Sequence, residues 1–112
     1  PFSGGCNQVT LEQGAYQVEF AADGRPALEK LEADDPVDVV LLDIMLPRTS
    51  GLDVLAAIRR IPHRKETPVI MLTAKGQAAD RVAAARLGAT DFLTKPFSPK
   101  RLLARLDELF QS

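Results

Sequence analysis

The sequence predicts an α/β protein, a doubly wound parallel sheet with helices on both faces, and three observations predict it. The runs Val37 to Leu42 and Pro68 to Leu72 are almost unbrokenly apolar, the form of strands buried on both faces rather than of half-exposed ones. Segments with apolar residues at helical spacing alternate with such strands, the order that right-handed βαβ crossovers produce. Finally, Asp43, Thr73 and Lys95 each fall at or just beyond the end of a strand, and in a parallel sheet those ends share one edge.

Taken in order, Pro1 to Asn7 (PFSGGCN) reads as a loop, and Gln8 to Gly14 as the end of a helix with Gly14 near its stop. Tyr16 to Ala21 alternates as a short strand, and Asp23-Gly24 turns the chain. Pro26 to Glu32 predicts a helix with Pro26 in its first turn and Ala27, Leu28 and Leu31 on one face. Asp34-Asp35-Pro36 breaks it before the strand that ends at Asp43. After Gly51, the spacing of Leu52, Leu55 and Ile58 predicts a helix whose basic end, Arg59 and Arg60, suits a helix C-terminus. Pro68 to Ala74 is the next strand. Gln77 to Leu87 predicts an alanine-rich helix with few large anchors, closed by Gly88, and so shallow an apolar face suggests a helix that can shift. Asp91 to Thr94 is the last strand. Pro99 to Phe110 closes the chain as an amphipathic helix with Leu102, Leu103, Leu106, Leu109 and Phe110 inward.

A chain of 112 residues, 46% of them hydrophobic, suits one domain with one core over 1–112. No apolar run approaches the roughly 18 residues of a membrane span, and no leader is evident, so the expected location is soluble and intracellular, in the cytoplasm. A net charge of -1 argues against a nucleic-acid surface, which needs a concentrated basic face. The basic residues of Arg59 to Lys65 and Lys95 to Arg105 are read as solvated faces. The lone Cys6 cannot form an internal disulfide, and the lone His63 is read as an exposed loop residue without the partners of a triad or zinc site.

Asp43 by itself is read equally well as a reactive carboxylate and as a cap for the loop that follows. Its convergence with Thr73 and Lys95 on one sheet edge is what favours chemistry. Gly4-Gly5 is no phosphate-binding fingerprint, so a flavodoxin-like enzyme that binds nucleotide or flavin is the weaker reading.

The motifs LLDIMLPRTSG at 41 to 51, PVIMLTA at 68 to 74 and LGATDFLTKPFSPKRLLAR at 87 to 105 resemble the receiver domain of two-component response regulators. KPFSP and LLAR are most similar to the receivers of winged-helix transcription regulators. The resemblance implies a flavodoxin-like (βα)5 fold and a signalling domain rather than an enzyme, capable at most of self-catalysed phosphorylation and dephosphorylation. It implies Asp43 as phosphoryl acceptor from a sensor histidine kinase, a phosphotransfer protein or a small acyl phosphate. Lys95, before a cis proline bond, and the Thr73 hydroxyl would neutralise the phosphoryl oxygens. Thr73 and Phe92 match the switch pair, in which the hydroxyl moves toward the phosphoryl group and the ring turns inward. Asp91 and Arg105 match positions that pair across dimers through the last two helices, although solvated surface explains this pair equally well.

The sequence departs from the family at its start. The family's first strand ends in an acidic pair that holds Mg²⁺ together with the acceptor and a backbone carbonyl, here those of Asp43 and Met45. Strand and acidic pair are both absent. Mg²⁺ binding by this chain is therefore doubtful, because near-octahedral oxygen ligation needs more than Asp43 supplies. In the family's 2-1-3-4-5 order the missing strand is central. Its burial, roughly 1.5 to 3 kcal/mol for each of about five apolar side chains, rivals a domain's net stability of about 5 to 15 kcal/mol. A stable monomer with an empty sheet centre is not expected. Truncation is favoured over a strand from another chain or over pairing by Gln8 to Leu11. The alternative function is a pseudo-receiver, an interaction module that binds neither Mg²⁺ nor phosphate.

Overall fold

The strands ending at Asp43 and Thr73 form the middle of the sheet. In the computed structural model, which describes residues 5–11, 14–21, 24–33, 37–45, 50–73 and 78–111, they are β3 (Val39–Asp43) and β4 (Val69–Thr73). The apolar residues of both are buried, and their side chains alternate between two cores as strand geometry requires. Val40, Leu42, Val69 and Met71 face one core with Leu31, Val54, Leu55, Ile58 and Ala84, which come from helices α1 (Gly24–Glu32), α2 (Gly51–Arg60) and α3 (Ala78–Arg86). Val39, Leu41, Ile70 and Leu72 face the other core with Leu102 and Leu106 of α4 (Pro99–Gln111). β5 (Asp91–Thr94) completes the parallel side, with Ile70 opposite Asp91 and Thr73 opposite Thr94. The predicted doubly wound sheet is therefore present.

The N-terminal part corrects two expectations. Gly5–Leu11, expected as loop and helix, is a strand, β1, antiparallel to β2 (Gly14–Ala21), with Cys6 opposite Glu19 and Leu11 opposite Gly14. Val9 and Leu11 are two residues apart, which is the period of a strand rather than of a helix. Gly14, expected near a helix stop, begins β2 at φ 140°, a conformation that an L side chain rarely adopts. Pro1 to Gly4 lie outside the described residues.

The gap expected between β2 and β3 is not found in the sheet. β2 pairs directly with β3, parallel, with Val18 opposite Val39 and Ala21 opposite Leu42. The Asp38 N–H donates to the Gln17 carbonyl (2.8 Å), and the Gln17 N–H donates to Asp38 Oδ2 (2.7 Å). The order is β1-β2-β3-β4-β5, so Gln8 to Leu11 pair on the outer edge rather than in the centre. The vacancy that argued against a stable monomer is closed by β2, whose backbone groups find partners on both sides. β2 is also fixed to α4 by the Tyr16 and Phe110 rings, stacked with centroids 4.1 Å apart.

Part of the basic run after α2 is built in rather than solvated. The Arg59 guanidinium donates to the carbonyls of Arg64 (3.1 Å), Thr67 (2.7 Å) and Gly88 (2.8 and 3.1 Å), joining α2 to the loops before β4 and after α3. Burial lowers its pKa from the usual value. Arg64, in the 3-10 turn Pro62–Arg64, is 6% exposed and donates to the Leu31 and Ala33 carbonyls at the end of α1. His63 is exposed as expected, but its Nε2 lies 3.0 Å from the same Leu31 carbonyl. A carbonyl only accepts, so Nε2 carries the proton.

Candidate functional site at the carboxyl edge of the sheet

The site begins with a close approach of backbone to backbone. After Asp43 the chain passes through Ile44 and Met45 and returns at Ser50, where Met45 and Ser50 form an isolated bridge and the Gly51 N–H donates to the Ile44 carbonyl (2.9 Å). Leu46 to Thr49 lie outside the described residues. A β-carbon at Gly51 would overlap the Asp43 carbonyl oxygen and stand 2.7 Å from Ile44 Cα, so glycine is required there. Ser50 then caps α2, its hydroxyl accepting the Leu52 N–H at 3.1 Å.

This geometry holds Asp43 in place. Its side chain is 21% exposed; Oδ1 accepts the Met45 N–H at 2.9 Å, and Oδ2 is 2.5 Å from Lys95 Nζ. Lys95 comes from beyond β5, across the intervening β4, and its own N–H donates to the Thr73 carbonyl at 2.6 Å. The Lys95-Pro96 peptide is cis. Thr73, fully buried at the end of β4, lies beside both: Leu72 registers with Asp43, and Thr73 with Thr94. Its hydroxyl has no hydrogen-bond partner among the described residues. The three residues therefore share one edge, but only Asp43 and Lys95 touch through their side chains.

Phe92 is half-buried on β5, packed against the core beneath α1, α2 and α3. Asp91 and Arg105 pair within the chain at 3.4 Å, and the Phe92 N–H donates to Asp91 Oδ1 at 2.8 Å. Sequence reasoning missed Arg81, whose guanidinium carbon stands 5.3 Å from the Phe92 ring centroid. No spacing links a residue of α3 to one of β5, so this contact leaves no mark in sequence.

The edge joins one oriented carboxylate, one ammonium and one buried hydroxyl that has no acceptor among the described residues. A divalent cation is less well served. No group of three or more His, Cys, Asp or Glu side chains comes together among the described residues. Asp43 and the Met45 carbonyl are two ligands where Mg²⁺ wants six oxygens, and both Asp43 oxygens already accept protein donors. The described residues do not by themselves fit a Mg²⁺ site.

A family model described as response regulator receiver domain matches residues 5–107. The chain is 47% identical over 96 residues to the transcriptional regulatory protein CpxR of Escherichia coli, covering 86% of this chain and 39% of CpxR. It is 40% identical over 104 residues to the alkaline phosphatase synthesis transcriptional regulatory protein PhoP of Bacillus subtilis, covering 93% and 42%. It thus spans about two fifths of the length of these curated relatives. Among solved structures it is similar to the chemotaxis response regulator CheY4 of Vibrio cholerae, with a TM-score of 0.72, 36% identity, and coverage of 80% of this chain and 74% of that one. It is also similar to the receiver domain of the Pseudomonas aeruginosa sensor histidine kinase PA1611, solved with a magnesium ion in the active site cleft (TM-score 0.71, 32% identity, 81% and 74% covered).

Proposed function

The chain belongs to the response regulator receiver domain family, and from that premise we propose that Asp43 is its phosphoacceptor. The observation that carries the proposal is the 2.5 Å contact of Lys95 with Asp43 at an edge where the Thr73 hydroxyl lies buried without a partner among the described residues. The donor is a sensor histidine kinase or phosphotransfer protein, with small acyl phosphates as substitutes. An Asp43 carboxylate oxygen attacks phosphorus, the bond from phosphorus to the donor nitrogen or acyl oxygen breaks with its electron pair on the donor, and an aspartyl phosphate remains. Catalysis here is positioning and charge neutralisation. The Met45 N–H orients the carboxylate, and Lys95 passes from the carboxylate to the phosphoryl oxygens. Thr73 donates its hydroxyl to the same oxygens. The modification adds about -1.5 to -2 of charge, which draws Thr73 toward the edge and frees space on the α3 side into which the Phe92 ring turns.

Receiver domains are signalling domains, and the output of this one falls on the surface of α3, β5 and α4, where Asp91 and Arg105 would exchange their internal pairing for a contact across a homodimer. Among the described residues, no helix is long and apolar enough to cross a membrane, and the working location proposed is the cytoplasm. Direct contact with nucleic acid is left to other parts of a longer regulator.

Incubation with acetyl phosphate and Mg²⁺ followed by intact mass tests the proposal. One phosphoryl adduct is expected, absent in Asp43→Asn. An adduct that persists in Asp43→Asn sinks it. So does the absence of any adduct on an extended chain that carries an acidic strand upstream, the outcome a pseudo-receiver predicts.

A further inference from the structure

Arg81 and Phe92 are the one described side-chain contact with electrostatic character between α3 and the sheet. It stands where little else holds the helix. Ala84 is the only buried residue of α3 among those described, and Val82 is 54% exposed. No carboxylate of the described residues lies within ion-pair distance of Arg81, so the aromatic face is its electrostatic partner. Phe92 in turn lies on a telling line of the sheet. It is opposite Met71, and two residues further on Thr94 is opposite Thr73. Strand alternation therefore puts the Phe92 ring and the Thr73 hydroxyl, unpartnered among the described residues, on the same sheet face, the one that α3 covers.

We propose that Arg81 is a positioning residue of the switch: its guanidinium holds the Phe92 ring in the half-buried orientation while Asp43 is unmodified, and so sets how many chains adopt the inward orientation. The inference rests on the phosphoacceptor reading for its purpose, but the hold itself operates in the unmodified protein. A cation over an exposed aromatic face biases a two-state equilibrium about two- to fivefold. That is a modest hold, and a modest hold is what a switch requires, because a new charge at Asp43 must overcome it. Loss of the guanidinium raises the inward population by that factor. It also loosens α3, since the contact ties the helix to β5.

The test is ¹⁹F NMR of the unphosphorylated protein labelled with fluorophenylalanine, the Phe92 signal being assigned by its loss in Phe92→Leu. Ring burial is read from the difference in shift between H₂O and D₂O. Arg81→Gln is expected to move the Phe92 signal toward the buried form, with a two- to fivefold larger inward fraction, and Arg81→Lys to restore most of the original position. Circular dichroism confirms that α3 remains folded. An unmoved Phe92 signal in folded Arg81→Gln overturns the proposal, as does an Arg81→Lys that behaves like Arg81→Gln, which would make the contact mere packing. None of these readings uses a phosphodonor. If acetyl phosphate adds nothing to Asp43 of the extended chain that carries an acidic strand upstream while Arg81→Gln still turns the ring, the phosphoacceptor reading fails and the hold stands.

Discussion

Lys95 and Asp43 meet across a strand. Asp43 ends β3, Lys95 follows β5, and the 2.5 Å contact between them spans the end of β4. The lysine backbone secures this reach by donating to the Thr73 carbonyl, so the side chain starts from a fixed point. Lys95 is 37% exposed, and a half-exposed pair of this kind contributes only about 0 to 1 kcal/mol to folding. In the proposed phosphoryl transfer its value would be chemical. Lys95→Met is expected to leave the urea midpoint nearly unchanged and to slow phosphorylation by acetyl phosphate on the order of 10²-fold, the scale of losing one charge-stabilising donor. A large loss of stability with unchanged phosphorylation would show the pair to be structural.

Gly51 is the backbone counterpart of that pair. An added β-carbon meets the Asp43 carbonyl oxygen and Ile44 Cα, both main-chain atoms that cannot swing aside. Gly51→Ala should therefore cost about 1 to 3 kcal/mol, as overpacking does, visible as a lower urea midpoint. It should also move Asp43 from its place between Met45 and Lys95, so phosphorylation slows even where the protein stays folded. By contrast, nothing among the described residues lies within 4 Å of a β-carbon at Gly14, so among them Gly14→Ala meets only the strain of its positive φ.

The edge of the sheet was legible from sequence because two of its three candidate residues, Asp43 and Thr73, close apolar runs. β3 and β4 are buried on both faces and so read as unbroken apolar stretches, and Asp43 and Thr73 are where those stretches stop. The start of the chain was not legible in the same way. Val9 and Leu11 permit a strand, but what makes them one is a pairing partner, the outer edge of β2, and local pattern carries no record of that edge. Arg59 and Arg64 misled for a related reason. A basic run is ordinarily solvated, and only the fold brings the carbonyls of Leu31, Ala33, Thr67 and Gly88 to these guanidinium groups.

Arg59 gives that lesson a measurable form. Its guanidinium supplies donors to three carbonyls in two loops, and Arg59→Ala strands partly buried acceptors while opening the joint between α2 and α3. A loss of about 1 to 3 kcal/mol is expected, read by chemical denaturation. Arg59→Lys should recover little, because a single ammonium cannot reproduce the planar fork. Full recovery in the lysine variant would mean that charge alone mattered at this joint.

Thr73 sets stability against function. Its hydroxyl is buried and unpartnered among the described residues, a condition that costs about 1 to 3 kcal/mol relative to a satisfied or apolar group. Thr73→Val removes the hydroxyl and keeps the shape, so the unmodified protein should become more stable by about 1 kcal/mol. The same variant cannot donate to a phosphoryl oxygen, and the inward turn of Phe92 after acetyl phosphate treatment should be lost even if Asp43 still takes the phosphoryl group. Thr73→Ser keeps the donor and should keep the turn. Thermal denaturation and the Phe92 ¹⁹F signal read the two effects separately. A valine variant that is less stable than the parent would mean that the hydroxyl is already satisfied in the folded protein, and the argument for a group held in waiting would go with it.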